Sequence, residues 1–255
     1  MYKVDLNSDL GESFGSYTMG CDELVIPVIT SANVACGWHA GDPLVMDKTV
    51  GMIAEAGIAV GAHPGFPDLM GFGRRTMAIS PAEAKAYTTY QLGALEAFCR
   101  AHHLTLQHVK PHGAMYNQAG KDYELAKAIC EAIRDYDDEL IVMALSGGQL
   151  IKAAEDLGLR AASEVFADRA YEEDGSLVNR RKPGAMITDE DEAIARVVRM
   201  IKEQRVTAIT GKDIPIRADS VCVHGDGPKA LAFVTKIRET LTAEGVALTP
   251  LKKMF

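Results

Sequence analysis

The chain has 255 residues, of which 47% are hydrophobic and 24% are charged, and its net charge is −8 at pH 7. An acidic chain whose Lys and Arg residues are scattered lacks the basic patch of a nucleic-acid-binding protein, so we expect no nucleic-acid partner. No apolar run reaches the ~18 residues needed to cross a bilayer, and the N-terminus has no long apolar signal segment, so we expect no membrane association.

The first half of the chain alternates predicted strands with predicted helices. The strands are predicted at Tyr2–Asn7, Ser31–Ala35, Ile58–Ala62 and Leu106–Lys110. Helices are predicted from Asp22 to about Thr30, from Pro43 to Ala56 after the cap Asp42, and from Pro81 to about His102 behind the capping box Ser80–Glu83. A long loop rich in Gly and Pro is expected at His63–Ile79, and loops of this length are usually functional or mobile.

The second half repeats this pattern. Strands are predicted at Leu140–Leu145, Arg160–Glu164, Ser220–Val223 and Val246–Leu248, and a hairpin or extended excursion is predicted at Thr207–Arg217. Helices are predicted at Tyr123–Asp135, from Ser146 to Leu157 and at Asp189–Glu203, and a last helix is predicted to run to about Glu244. A second long polar loop is expected at Phe166–Gly184.

About seven strand–helix alternations without a break in composition predict parallel βα units in a single domain, residues 1–255. Either a barrel of seven or eight strands or a doubly wound open sheet fits this pattern. The five cysteines are widely spaced and form no CxxC pair, which is typical of reduced thiols in a cytoplasmic protein.

Polar side chains recur where the predicted strands end. They are Asn7, Asp9 and Glu12 after the first strand, Asn33 and His39 after the second, His63 after the third, Lys110 and His112 after the fourth, and His224 and Asp226 after the seventh. Because the carboxyl ends of barrel strands converge on one face, we expect these residues to share a pocket.

Several kinds of chemistry fit such a pocket. Asp9, His39 and His63 are the candidates if a divalent metal is bound to activate water, and the same groups can act as general acid and base. Lys110 and Arg74 can hold an anionic group, although Arg74 is equally compatible with a solvated loop charge. For the pair Asp168 and Arg169 we prefer a surface ion pair to a lid.

Three motifs are absent from the chain. It contains no GxxxxGK[ST] loop, no GxGxxG that opens a helix and no GxSxG elbow. Their absence argues against a P-loop ATPase, a dinucleotide enzyme and a serine hydrolase.

Five long segments carry a resemblance to a known family. They are Asp5–Glu12, Ala32–Pro43, Gly61–Asp68, Val109–Asn117 and Val223–Asp226. In order and over the whole chain they resemble the LamB/YcsF family, the A subunits of bacterial 5-oxoprolinase. The resemblance implies an α/β fold, an irregular seven-stranded β/α barrel of the TIM-like, glycoside hydrolase/deacetylase type. It also implies ring opening of the lactam 5-oxo-L-proline to L-glutamate with ATP, together with Mg²⁺, as co-substrate and with partner subunits B and C.

With that reaction in view, each residue type suggests a role. Asp9, Glu12 or His63 activates water, His112 transfers a proton to the leaving nitrogen, and Lys110 neutralises a phosphate or an oxyanion. Arg74 holds the substrate carboxylate. The remaining substrate-binding candidates are Asn7, Asn33, His39, His224 and Asp226.

Two other functions stay open at this point. One is a stand-alone, metal-dependent deacetylase or amidase, and the other is a non-catalytic subunit that binds the lactam. The sequence does not decide where ATP binds, or whether this subunit holds a metal.

Overall fold

The computed structural model describes residues 1–223 and 230–255 and contains a closed parallel barrel. In chain order the strands are β1 (Tyr2–Leu10), β2 (Ser31–Ala35), β3 (Ala59–His63), β4 (Leu106–Val109), β5 (Ile141–Leu145), β6 (Arg160–Phe166), β7 (Arg205–Thr207), β8 (Asp213–Pro215), β9 (Ser220–Cys222) and β10 (Val246–Leu248). Seven of them form the barrel in the order β1-β2-β3-β4-β5-β6-β9, and β9 pairs with β1 to close it. The predicted seven-stranded β/α barrel is therefore confirmed, and the open-sheet alternative is wrong.

Helices follow most of the barrel strands. They are α1 (Asp22–Val25), α2 (Pro43–Ala56), α3 (Pro81–Ala101), α4 (Gly113–Ala119), α5 (Tyr123–Tyr136), α6 (Gln149–Asp156), α7 (Glu190–Glu203) and α8 (Ala230–Ala243), with short 3₁₀ helices at Ile26–Val28 and Leu251–Lys253. Within the described residues, none of these helices is long and apolar enough to cross a membrane.

The side chains that were predicted to cap α2 and α3 do cap these helices. The Asp42 carboxylate accepts hydrogen bonds from the backbone N–H groups of Leu44 and Val45, and Ser80 and Glu83 form the reciprocal capping box. These caps satisfy N–H groups that have no partner inside the helix, and they fix where α2 and α3 leave the barrel face.

Two predicted boundaries were wrong, and one helix was missed. Strand β1 continues to Leu10, so Asp9 belongs to the strand rather than to a loop after it. The predicted helix from Asp22 to Thr30 ends at Val25 and continues as a 3₁₀ turn, because Pro27 supplies no backbone N–H for an α-helix. Helix α4 was not predicted, since its seven residues are too few to show a helical period.

The remaining strands lie outside the barrel ring. Strands β7 and β8 form an antiparallel pair, which confirms the hairpin alternative for this part of the chain. Strand β10, predicted as a closing strand, is present and pairs in parallel with the first residues of β1, but β9 closes the ring.

A network of hydrogen bonds between buried polar side chains links the barrel strands. Asp5 accepts hydrogen bonds from the hydroxyl groups of Thr30, Ser31 and Ser220, at 2.7, 2.5 and 2.6 Å. The Asn7 amide in turn donates to Ser220, at 2.7 Å. Each polar side chain in this network therefore has a hydrogen-bond partner, although burial still disfavours the charged form of Asp5.

Candidate active site

A cavity of about 790 Å³ opens at the carboxyl ends of the barrel strands. Six of the predicted residues line it: Asp9, Glu12, His63, Arg74, Lys110 and His112. The structure thus brings together side chains from β1, from β3 and from the segments that follow β1, β3 and β4, although up to about a hundred residues separate them in sequence. His224 and Asp226 lie outside the described residues.

The Lys110 ammonium group lies between two carboxylates. Its Nζ atom is 2.9 Å from Asp9 Oδ1 and 2.7 Å from Glu164 Oε1. Burial alone would lower the pKa of Lys110, but the charges of Asp9 and Glu164 outweigh it and hold the pKa well above its usual range. Lys110 is therefore a fixed positive charge at the wall of the cavity.

Glu164 was not among the predicted residues, although it is the partner that holds Lys110 from the other side. It has no solvent exposure, and its Oε2 accepts a 2.7 Å hydrogen bond from the hydroxyl of Tyr116. The one available signal was a carboxylate near the end of a short strand, where a side chain faces into a barrel rather than into solvent. Tyr116, in α4, was likewise not predicted as a site residue.

Beneath the cavity, two asparagines orient Asp9. Asn33 Nδ2 donates to Asp9 Oδ1 at 2.8 Å and to Asn7 Oδ1 at 2.7 Å, and Asn33 Oδ1 accepts a 2.6 Å hydrogen bond from His108 Nε2. Neither Asn7 nor Asn33 lines the cavity, and both are completely buried. Their location indicates positioning of Asp9, while their predicted contact with substrate stays a prediction.

Glu12 lies among three histidine rings. Its Oε1 atom is 3.0 Å from His39 Nε2, 3.2 Å from His112 Nδ1 and 3.9 Å from His63 Nε2. Burial would raise the pKa of Glu12, but the contacts with His112 and His39 hold it well below its usual range. The His39 and His112 rings are stacked, with 3.7 Å between their centroids.

Backbone carbonyls determine which nitrogen carries the proton in two of these rings. His63 Nδ1 donates to the carbonyl of Lys110 at 2.7 Å, and His112 Nε2 donates to the carbonyl of Phe72 at 2.8 Å. In the neutral rings His63 Nε2 and His112 Nδ1 therefore both carry lone pairs, yet these atoms are only 3.0 Å apart. A proton or a cation between them removes the repulsion.

A divalent metal fits this arrangement. The donor atoms of Glu12, His39, His63 and His112 all lie within 4.8 Å of one another. A histidine that binds a metal usually donates its other N–H group to a fixed acceptor, and His63 and His112 do so. His39 does not, because its buried Nδ1 has no hydrogen-bond partner among the described residues. The geometry therefore favours Glu12, His63 and His112 as ligands, with His39 supporting Glu12.

The protonation of His39 differs from that of His63. Burial, reinforced by the charge of His112, lowers the pKa of His39 to about 3, so that this ring is neutral. For His63 burial also opposes protonation, but the nearby carboxylates of Asp9 and Glu12 raise its pKa. His63 Nε2 lies 3.4 Å from Asp9 Oδ2, so His63 is the histidine most suited to take a proton from water when no metal occupies this nitrogen.

The two long loops complete the cavity wall. Arg74 is exposed and packs its guanidinium over the ring of Phe72, 4.9 Å from the centroid. Arg169 is only 6% exposed and lines the cavity, so the preference for a surface ion pair with Asp168 was wrong. Nothing in its local sequence pattern indicated burial, because the loop around it is polar.

Comparison of the sequence with known proteins identifies the family and several relatives of this chain. Residues 4–255 match the model of the LamB/YcsF family. The chain is 65% identical, over the full length of both proteins, to a Clostridium beijerinckii protein that is named as the A subunit of 5-oxoprolinase. It is 56% identical to the Pyrococcus abyssi protein of that name, over 98% of each chain.

Two solved structures have the same fold as this chain. The lactam utilization protein from Thermus thermophilus is 46% identical and superimposes with a TM-score of 0.91, covering 96% of this chain and 98% of the other. A family 4 carbohydrate esterase from Streptomyces lividans, 11% identical with a TM-score of 0.51 over 97% of this chain and 91% of the other, shares the fold. The full-length family match and these identities show that the chain belongs to the LamB/YcsF family.

Proposed function

We propose that this chain, folded as one domain, is the A subunit of a cytoplasmic 5-oxoprolinase. Together with partner subunits B and C, it opens the lactam ring of 5-oxo-L-proline to give L-glutamate while ATP, with Mg²⁺, is hydrolysed. The names of relatives at 55–65% identity support this assignment. The observation that carries it is the Lys110 ammonium, joined to Asp9 beside the cluster of Glu12, His63 and His112.

The chemistry of a lactam explains why such a site is useful. A five-membered lactam is an unreactive amide, and phosphorylation of its oxygen by ATP turns the ring carbon into a better electrophile. Attack by water and proton transfer to the ring nitrogen then break the C–N bond. The remaining acyl phosphate reacts with a second water to give the γ-carboxylate of glutamate and inorganic phosphate.

The side chains around the cavity suit the steps that follow activation. When no metal occupies the histidine cluster, His63 or a neighbouring carboxylate takes the proton of the attacking water, and His112 returns a proton to the leaving nitrogen. Lys110 stabilises the negative charge that develops on the oxygen, from a fixed position with little water around it. Arg74 meets the substrate carboxylate at the mouth of the cavity.

A metal bound by Glu12, His63 and His112 would lower the pKa of a coordinated water. His39 would then keep Glu12 in place through its 3.0 Å contact. Because the metal would use the free nitrogens of His63 and His112, the proton acceptor for the coordinated water would be Asp9, which lies 3.4 Å from His63 Nε2.

The test is a turnover assay with ATP and 5-oxoproline that measures glutamate release, with and without the partner subunits. Variants His63→Ala and Asp9→Ala, in the reconstituted complex, are expected to lose at least about a hundredfold in kcat, as removal of a general base usually does. His102→Ala is the matched control, because this histidine is part-exposed, pairs with Asp47 and does not line the cavity. Unchanged rates in correctly folded site variants would remove those residues from the proposed machinery.

A second candidate function is a metal-dependent deacetylase or amidase that acts alone. The histidine–carboxylate cluster favours it, since three such donors with an open position are typical of catalytic metal sites. Hydrolysis of an amide or acetyl substrate by the isolated chain, without ATP and abolished by a chelator, would decide for this alternative. Full activity of the partner subunits alone, with lactam binding by this chain, would instead indicate a non-catalytic role.

A further inference from the structure

The cavity is positively charged, although the chain as a whole is acidic. Among the described residues that line it, six are Lys or Arg and three are Asp or Glu, whereas the whole chain carries a net charge of −8. The cations are Arg74, Lys110, Lys121, Arg169, Arg180 and Arg181. Such a concentration of one sign of charge in a concave site attracts anionic ligands.

Arg169 is a buried cation whose hydrogen-bonding capacity is only partly used. Its Nη2 donates to the carbonyl of Val178 at 2.7 Å, but its buried Nε has no hydrogen-bond partner within the part of the chain that the structure describes. Burial, together with the charge of Arg180, lowers the pKa of Arg169 and outweighs the opposing charge of Asp168. A guanidinium held in this way costs free energy unless a ligand supplies negative charge and an acceptor.

The loop that carries these arginines has a defined structure. Backbone hydrogen bonds of 3.0 Å join Ala170 to Ala185 and Val178 to Ala170, and these three side chains form a small buried cluster. Next to it, the side chain of Asn179 accepts a 3.0 Å hydrogen bond from the backbone N–H of Arg181. The loop therefore holds Arg180 and Arg181 at the wall where Arg169 is buried, rather than leaving them on a free segment.

We propose that Arg169, Arg180 and Arg181 form a subsite for a terminal phosphoryl group. A phosphoryl dianion offers more charge than a carboxylate and has three terminal oxygens, which suits several guanidinium forks at once. The inference rests on the proposed function, because activation of the lactam with ATP gives a substrate that carries such a group. The same chemistry is presented by the γ-phosphate of ATP, so the experiment must separate these two sources.

The experiment measures binding to the purified full-length chain by isothermal titration, without partner subunits and without turnover. The probes are inorganic phosphate and Mg-ATP. We expect Arg169→Gln and the double variant Arg180→Gln/Arg181→Gln to bind phosphate at least tenfold more weakly than the unmodified chain. Arg100→Gln, an exposed arginine outside the cavity, is the control and should leave the affinity unchanged. The double variant alters only exposed residues, so it remains informative if Arg169→Gln does not fold.

Equal phosphate affinity in all variants would overturn the subsite. If Mg-ATP binds much more tightly than phosphate and is equally sensitive to the variants, the phosphoryl group that the subsite binds belongs to a nucleotide. If Mg-ATP binds no better than phosphate, the phosphoryl group belongs to the phosphorylated small molecule. The turnover assay in the reconstituted complex is separate. Phosphate binding that the variants weaken, without 5-oxoprolinase activity, would support the subsite and reject the proposed function. Turnover without such phosphate binding would support the proposed function and reject the subsite.

Discussion

Lys110 and Glu164 form an ion pair in the wall of the cavity, with 2.7 Å between Nζ and Oε1 and side-chain exposures of 3% and 0%. Asp9 contacts the same ammonium from the other side, at 2.9 Å. One cation thus lies between a carboxylate that faces the cavity and one that is closed off from it. Glu164, the buried carboxylate, therefore positions Lys110 without contacting substrate.

Replacing Glu164 by Gln tests this positioning role. The amide keeps the shape of the side chain but removes the charge that balances Lys110, so we expect kcat for glutamate release to fall about tenfold or more while KM changes little. Loss of one member of a buried ion pair typically costs about 3–5 kcal/mol, so thermal unfolding should be measured alongside. Tyr116→Phe is the companion variant, since it removes only the hydroxyl that contacts Glu164. A rise in KM with unchanged kcat in E164Q would instead indicate a role in substrate binding.

Metal content is the second prediction. We expect elemental analysis of the purified chain, after incubation with a divalent cation and desalting, to find about one ion per chain. His63→Gln and His112→Gln should lower the metal affinity by about 10–100-fold or more, because these rings combine a free lone pair with a fixed second hydrogen bond. His39→Gln should retain most of the metal, since the Nδ1 of His39 has no acceptor among the described residues.

The opposite pattern would contradict this assignment. Retention of metal in His63→Gln together with loss in His39→Gln would exchange the two roles. A chain that binds no divalent ion under any of these conditions would leave a shared proton between His63 and His112 as the explanation of their 3.0 Å contact.

The sequence predicted the barrel because strands, caps and glycine turns leave local signals. Asp42 and Ser80, for example, show in their own sequence neighbourhoods where α2 and α3 begin. The sequence also predicted six of the residues that line the cavity, since the ends of parallel strands converge. Glu164 and Arg169 were missed because their significance depends on burial and on partners far away in the chain, such as Lys110, and neither property has a local pattern.

A glycine in β3 provides the third prediction. A Cβ atom at Gly61 would lie 2.1 Å from His108 Nε2, the atom that donates to Asn33 below Asp9. Gly61→Ala should therefore displace the His108 ring and lower the free energy of unfolding by about 3 kcal/mol. Gly93→Ala, in α3, is the control. Apart from its chain neighbours and the nearby backbone of its own helix, no atom of the described residues lies within 4 Å of its added Cβ, so it should stabilise the protein by about 0.5–1 kcal/mol. Urea denaturation measures both, and equal effects would contradict the predicted contact at Gly61.

The fourth prediction concerns the pH dependence of stability. Burial raises the pKa of Asp5 from 3.8 to about 6, although the hydroxyl groups of Ser220, Ser31 and Thr30 partly offset it. Between these two values the folded state keeps a proton that the unfolded chain has released, so raising the pH through this window lowers the free energy of unfolding, by about 3 kcal/mol in all. Asp5→Asn removes this titration. We therefore expect the stability of the unmodified protein relative to D5N, from urea denaturation, to fall by roughly that amount between pH 4 and pH 7. A difference that stays constant across this range would show that Asp5 titrates alike in both states.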